Sequence, residues 1–141
     1  MDLRVLVLTA DRDVAELVRT QAENLGCRCT IADGFDQGLP SVGWAEAAIV
    51  DLAGDGLSDL NRVRIESPLI RVLALAPDEA AAEAARAAGA SNTLVEPLSI
   101  PEVIDAIRGL GATGDAEVVD LRTGERHAVP RVDDTPWWAT R

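Results

Sequence analysis

The chain has 141 residues, 48% of them hydrophobic, and a formal net charge of −11. The apolar content suits one domain with a real core and excludes a disordered chain. The acidic balance argues against direct contact with nucleic acid or with an anionic membrane surface.

Residues 3–8, LRVLVL, form a continuous apolar, β-rich run, as in a buried central strand of a parallel sheet. Asp11 is placed to cap a helix running to about Leu25, with Val14, Leu17, Val18, Ala22 and Leu25 at helical spacing and Gly26 as its exit. CRCTIA (27–32) alternates polar and apolar, as a strand near a sheet edge does. Three glycines and Pro40 within 33–44 predict a short or irregular second helix.

Ala47 to Val50 read as a third buried strand ending in Asp51. Leu57, Leu60, Val63 and Arg64 suggest a third helix, and IRVLALA (70–76) a fourth strand. Asp78 caps an Ala-rich helix over 79–88, and Gly89 supplies its left-handed exit. Asn92 to Val95 form a short fifth strand. Ser99 and Glu102 make a capping-box pattern ahead of Val103, Ile104, Ile107 and Leu110. Five strands alternating with five helices imply a doubly wound α/β fold: a parallel sheet covered on both faces by right-handed crossovers. Such a sheet carries its functional site at the carboxyl ends of its strands, where Asp11, Asp51, Ala76 and Glu96 all fall.

Cys27 and Cys29 are spaced i, i+2, a poor geometry for a bridge, so two reduced thiols in a cytoplasmic protein are expected. The first apolar run is too short for a secretory leader, and no stretch approaches a membrane span.

The stretches VLVLTAD, AAIVDLAGDG, VLALAP and RAAGASNTLVEPLS, with the last amphipathic helix, resemble the response-regulator receiver domain over residues 3 to about 110. Ala88-Gly89-Ala90 followed by Leu94-Val95-Glu96-Pro97-Leu98-Ser99 is the most specific part. The resemblance implies a flavodoxin-like (βα)5 sheet in the order 2-1-3-4-5. It also supplies a chemical template. An acidic pair after the first strand helps hold Mg²⁺, and an Asp after the third strand accepts a phosphoryl group. A hydroxyl after the fourth strand and a Lys after the fifth bind its oxygens, and an aromatic on the fifth strand reports the switch.

On that template the acidic pair falls on Thr9 and Ala10, with Asp11 one step later. Asp51 matches the phosphoacceptor. The hydroxyl position is Ala76, the Lys position is Glu96 and the aromatic position is Thr93. All thirteen basic residues are Arg, so no other Lys can replace the missing ammonium. Phosphorylating Asp51 adds negative charge beside existing carboxylates and needs cations to offset it. The resemblance therefore implies a degenerate, atypical receiver in which Asp51 is vestigial. No cofactor is expected, Mg²⁺ entering only if Asp51 is phosphorylated. A divalent ion held by Asp11 and Asp51 with Glu96 is the weaker metal-site expectation.

The fourth helix is rich in Ala, and the family commonly pairs through the face made by its fourth helix, fifth strand and fifth helix. Arg86, Asp105 and Arg108, with Glu83 and Glu102, could give that face complementary charges for a homodimer. Residues 111–141 lie outside the resemblance and form a second segment after the receiver-like 1–110. GATGD (111–115) reads as a linker and EVVDLRTGERHAV as a β-hairpin around Gly124. Trp137 and Trp138 either fold back on the domain or dock on a partner. His127 reads as a solvent-facing tail residue.

Three functions follow in order of preference. The first is a phosphorylation-independent module that binds other proteins of a signalling or localisation system, and is no enzyme. The second is a conventional phosphoacceptor that uses Asp51 in a two-component phosphorelay. The third is an enzyme or small-ligand binder, disfavoured because the first strand–helix turn, LTADRD, lacks a Gly-rich phosphate cradle.

Overall fold

The computed structural model describes residues 2–116. The elements alternate strictly: β1 (Arg4–Leu8), α1 (Arg12–Asn24), β2 (Arg28–Ala32), α2 (Phe35–Val42), β3 (Ala47–Asp51), α3 (Gly56–Glu66), β4 (Arg71–Ala76), α4 (Glu79–Ala87), β5 (Asn92–Val95) and α5 (Ile100–Ala116). All strand pairs are parallel, and the sheet order is β2-β1-β3-β4-β5. This is the flavodoxin-like doubly wound α/β fold that the resemblance implies.

The apolar runs explain the layering. Every residue of β3 is buried, and so are all but the first of β1 and β4. β2 and β5 stand at the edges and are only partly covered. Alternation along the strands sends Leu6, Leu8, Ala48, Val50, Val72 and Ala74 into one core with residues of α2, α3 and α4, among them Phe35, Leu60, Val63 and Ala82. Val5, Val7, Ile49, Leu73 and Leu75 alternate to the opposite face and are equally buried, as are Val18 and Ala22 of α1 and Val103 and Ile107 of α5.

The expected caps form. Asp11 accepts from the amides of Asp13 and Val14, Asp78 from Ala81, and Ser99 from Glu102. Gly26 and Gly89 take positive φ of 89° and 104° where helices end. As expected, α2 is short: its eight residues, Pro40 among them, make it the shortest helix among those described. It is anchored by buried Phe35 and Val42 and by close approach at Gly38, where a Cβ would come within 2.7 Å of Leu8.

The helix after β5 departs from the sequence reading. α5 continues through residues 111–115, which composition marks as a linker. A helix started by the Ser99 cap and held by buried Val103, Ala106 and Ile107 propagates at small cost per residue, even through Gly109, Gly111 and Gly114. Compactness divides the chain into residues 1–108 and 109–141. The β-hairpin, His127, Trp137 and Trp138 lie outside the described residues. No helix among those described is long and apolar enough to cross a membrane.

Candidate functional site

The chain path turns at β1: β2 lies on one side of it and β3 on the other. The crevice of a doubly wound sheet opens at such a point, beyond the strand carboxyl ends. A cleft of about 710 Å³ lies there, lined by the tips of β1 and β3, the β2–α2 turn and the first turns of α3. Asp11, Asp33, Asp36, Asp51, Asp55 and Asp59 line it, and Arg62 is its one cation among the described residues.

Asp51 ends β3 and is only 8% exposed. Both its carboxylate oxygens are engaged by neutral donors. The Thr9 hydroxyl donates to Oδ2 at 2.7 Å, and the Ala53 backbone N–H donates to Oδ1 at 3.1 Å. Thr9 is itself buried, and its Oγ1 accepts from the Asp11 amide at 3.0 Å. The position that the template assigns to an acid is thus a hydroxyl donor resting on the phosphoacceptor position. Ala10 is exposed on the cleft rim. Asp11 uses Oδ1 to cap α1.

The other template positions stand apart from this cleft. Ala76 is fully buried, and its carbonyl accepts from the Glu96 amide at 2.9 Å. Thr93 is half-buried on β5. Glu96 is exposed and borders a second, shallower groove of about 270 Å³ with Asp11, Asp13, Val14, Leu17 and Leu98. The three carboxylates of the metal expectation, Asp11, Asp51 and Glu96, are divided between these two grooves, with Asp11 bordering both. Among the described residues no three His, Cys, Asp or Glu side chains are grouped as a metal would need. Asp11 serves as a cap, Asp51 faces Thr9, and Glu96 points from a different groove.

Sequence reasoning missed the opposite wall of the cleft. Gly34 gives α2 no side-chain cap, and Asp59 of α3 supplies one by accepting from the Phe35 amide at 3.2 Å. Arg62 pairs with Asp36 at 2.8 Å, and its guanidinium carbon lies 4.3 Å from the Phe35 ring centroid. The only available signal was Asp59 and Arg62 spaced i, i+3 on one helix. Their partners lie more than twenty residues away on another element.

No family model and no curated protein matches the chain. Solved structures do match. One is NtrX from Brucella abortus, at 21% identity over 81% of this chain, with a TM-score of 0.72. The chain spans only 28% of that protein. A putative response regulator from Chloroflexus aurantiacus aligns at 23% identity over 79% of this chain and 99% of its own, TM-score 0.70. A CheY-like response regulator receiver domain protein from Methanospirillum hungatei aligns at 17% identity over 82% and 98%, TM-score 0.71. The fold is that of a response-regulator receiver domain. Within this fold, Asp51 stands at a strand tip beside the cleft.

Cys27 and Cys29 are free. Burial is the main force raising both thiols, Cys29 to about 11, so each stays protonated at neutral pH. They are poor nucleophiles and poor ligands.

Proposed function

We propose that the chain is a receiver-fold signalling module that binds other proteins without transfer of a phosphoryl group to Asp51. The observation that carries this is the Thr9–Asp51 hydrogen bond at 2.7 Å. An acceptor carboxylate must meet its phosphodonor with a divalent cation and fixed positive groups around it. Here a neutral hydroxyl covers one oxygen and a backbone amide the other. Arg62, the cation of this cleft among the described residues, is paired with Asp36 and stacked over Phe35. The template's Lys position is a carboxylate, and its hydroxyl position is a buried methyl.

The test is incubation of the full chain with acetyl phosphate and a range of Mg²⁺ concentrations, followed by intact-mass measurement of wild type and Asp51→Ala. No phosphate adduct is expected on either. An adduct on wild type that Asp51→Ala abolishes would establish the conventional phosphoacceptor instead.

The partners in this reading are proteins of a signalling or localisation system. A homodimer through α4, β5 and α5 belongs to the same proposal. Ile100 at the start of α5 is half-exposed, and Ala80 and Ala87 of α4 are exposed. Arg86 is paired with Glu79 at 3.0 Å and Arg108 with Asp105 at 3.9 Å within one chain. A dimer using those charges would exchange these pairs across the interface, and light scattering across a concentration series reads it out.

A further inference from the structure

We infer that Asp51 has a positioning role: with Thr9 it forms a buried clasp that fixes the starts of α1 and α3 to each other through the strand tips. The inference rests on the reading above, in which the carboxylate has no phosphoryl chemistry to perform.

Four loops or strand ends meet at the two residues, three of them through the side chains and one through the Thr9 backbone. The Thr9 amide donates to the Ala32 carbonyl at the end of β2, at 3.0 Å. The Thr9 hydroxyl donates to Asp51 Oδ2 at the end of β3 and accepts from the Asp11 amide at the cap of α1. Asp51 Oδ1 accepts from the Ala53 amide on the approach to α3. Asp11 and Ala53, which begin the two helices' approaches, are thus joined by an unbroken chain of three hydrogen bonds, Asp11 N–H to Thr9 Oγ1, Thr9 O–H to Asp51 and Ala53 N–H to Asp51. Thr9 and Asp51 are the two buried polar side chains among the described residues; they share one bond, and each makes its other bond to an amide two residues further along its own loop. Removing one member leaves a buried polar atom without its partner, which costs more than the bond contributes.

The clasp makes a distinguishing demand: it needs acceptor and donor geometry, and it does not need the negative charge. An asparagine at position 51 can accept from Ala53 through its amide oxygen. Its NH₂ can donate to Thr9 Oγ1, whose two acceptor sites then serve Asp11 and the new donor, while the Thr9 O–H gives up the acceptor it had on Asp51, so the contact is kept with its direction reversed and at some cost. A phosphoacceptor has no such tolerance.

The experiment is a double-mutant cycle on the full chain, with thermal unfolding and amide hydrogen exchange at Asp11 and Ala53. Thr9→Val and Asp51→Ala each remove the shared bond and one bond to a loop amide, and each is expected to lower Tm by at least the roughly 2–8 °C that accompanies loss of a single ordinary buried bond. The double variant is expected to lose less than the two single losses combined. Thr9→Val should raise exchange at Asp11 at least tenfold, and Thr9→Ser should restore it. Asp51→Asn should lose clearly less than Asp51→Ala, because it keeps the Ala53 bond and a contact to Thr9. Additive single losses, or Asp51→Asn falling as far as Asp51→Ala, would overturn the clasp. An acetyl phosphate adduct on wild-type Asp51 would overturn the functional reading while leaving the cycle's result to stand on its own.

Discussion

Gly56 lies directly against the backbone carbonyl of Asp51: a Cβ there would penetrate the carbonyl oxygen well inside van der Waals contact. The first residue of α3 can reach the end of β3 only because it has no side chain. Two residues earlier, Gly54 is glycine for a different reason, a φ of +61° with open space around it.

The two glycines should respond differently to alanine. Gly56→Ala must push α3 away from the strand tip, and a loss of about 3 kcal/mol is expected, at the upper end for overpacking. Gly54→Ala meets no atom and should cost only the left-handed backbone penalty, about 1–2 kcal/mol. Urea unfolding of the two variants checks this. Equal losses would show that the loop slides to accommodate the extra methyl.

The opposite wall of the cleft depends on a cap supplied from outside its own helix. α2 begins at a glycine, so its first turn relies on Asp59. Asp59→Ala should destabilise the domain by about 1 kcal/mol, the ordinary worth of an N-cap. Amide exchange at Phe35 should rise with it. Arg62→Ala should cost less than that, because the Arg62–Asp36 pair is open to water, with side chains 48% and 82% exposed, and its stacking on Phe35 adds only a fraction of a kcal/mol. A larger loss from Arg62→Ala than from Asp59→Ala would reverse this assignment.

Restoring single groups should not restore phosphoryl chemistry. Glu96→Lys returns an ammonium to the β5–α5 loop, yet the Thr9 hydroxyl still covers Asp51 Oδ2 and Ala76 still offers no oxygen. The single variant is expected to form no adduct with acetyl phosphate. Thr9→Asp combined with Ala76→Ser and Glu96→Lys supplies one acid of the template's pair together with its hydroxyl and its cation. The new carboxylate beside Asp51 repels it until a divalent ion enters. Mg²⁺ should therefore raise Tm in the triple variant and leave wild type unchanged, since a ligand stabilises only a fold that binds it. An adduct on Asp51 should form only in the triple variant. A Mg²⁺-induced Tm rise in wild type would contradict the satisfied state of Asp51.

The strands were legible because their signals are local. LRVLVL and AAIVD are apolar on both faces, and a strand of that pattern has nowhere to lie but the middle of a covered sheet. The caps at Asp11, Asp78 and Ser99 were legible for the same reason, since donor and acceptor sit within three residues. The end of α5 was not, because composition records the intrinsic cost of glycine and says nothing of a helix already anchored upstream.

The candidate site was half legible. The sequence singled out Thr9, Asp11 and Asp51 at strand tips and marked Ala76 and Glu96 as departures from the template's hydroxyl and ammonium. It had no means to see that Thr9 and Asp51, 42 residues apart, share a hydrogen bond, because that bond is made by sheet order and register. Phe35, Asp59 and Arg62 escaped notice for the same physical reason. Each is unremarkable on its own element and acquires a role only when α2 and α3 lie side by side.

The composition opens a clean test at alkaline pH. The chain has no Lys and no Tyr, and Arg stays protonated, so between about pH 9 and 11 the thiols are the side chains that titrate. Burial raises Cys27 above its ordinary value of 9.0 and Cys29 to about 11. The unfolded chain loses these protons near 9 while the native state keeps them. The native state then binds more protons, and stability falls as pH rises through that window. Below pH 9 both states are protonated and the cysteines contribute no slope. Urea midpoints under reducing conditions should therefore decline from pH 9 to 11 in wild type and decline less steeply in Cys29→Ala. Cys29 sits on the edge strand β2, where removing its sulfur leaves the central core intact. Parallel pH profiles for the two proteins would mean that the Cys29 thiolate is as comfortable in the folded chain as in water.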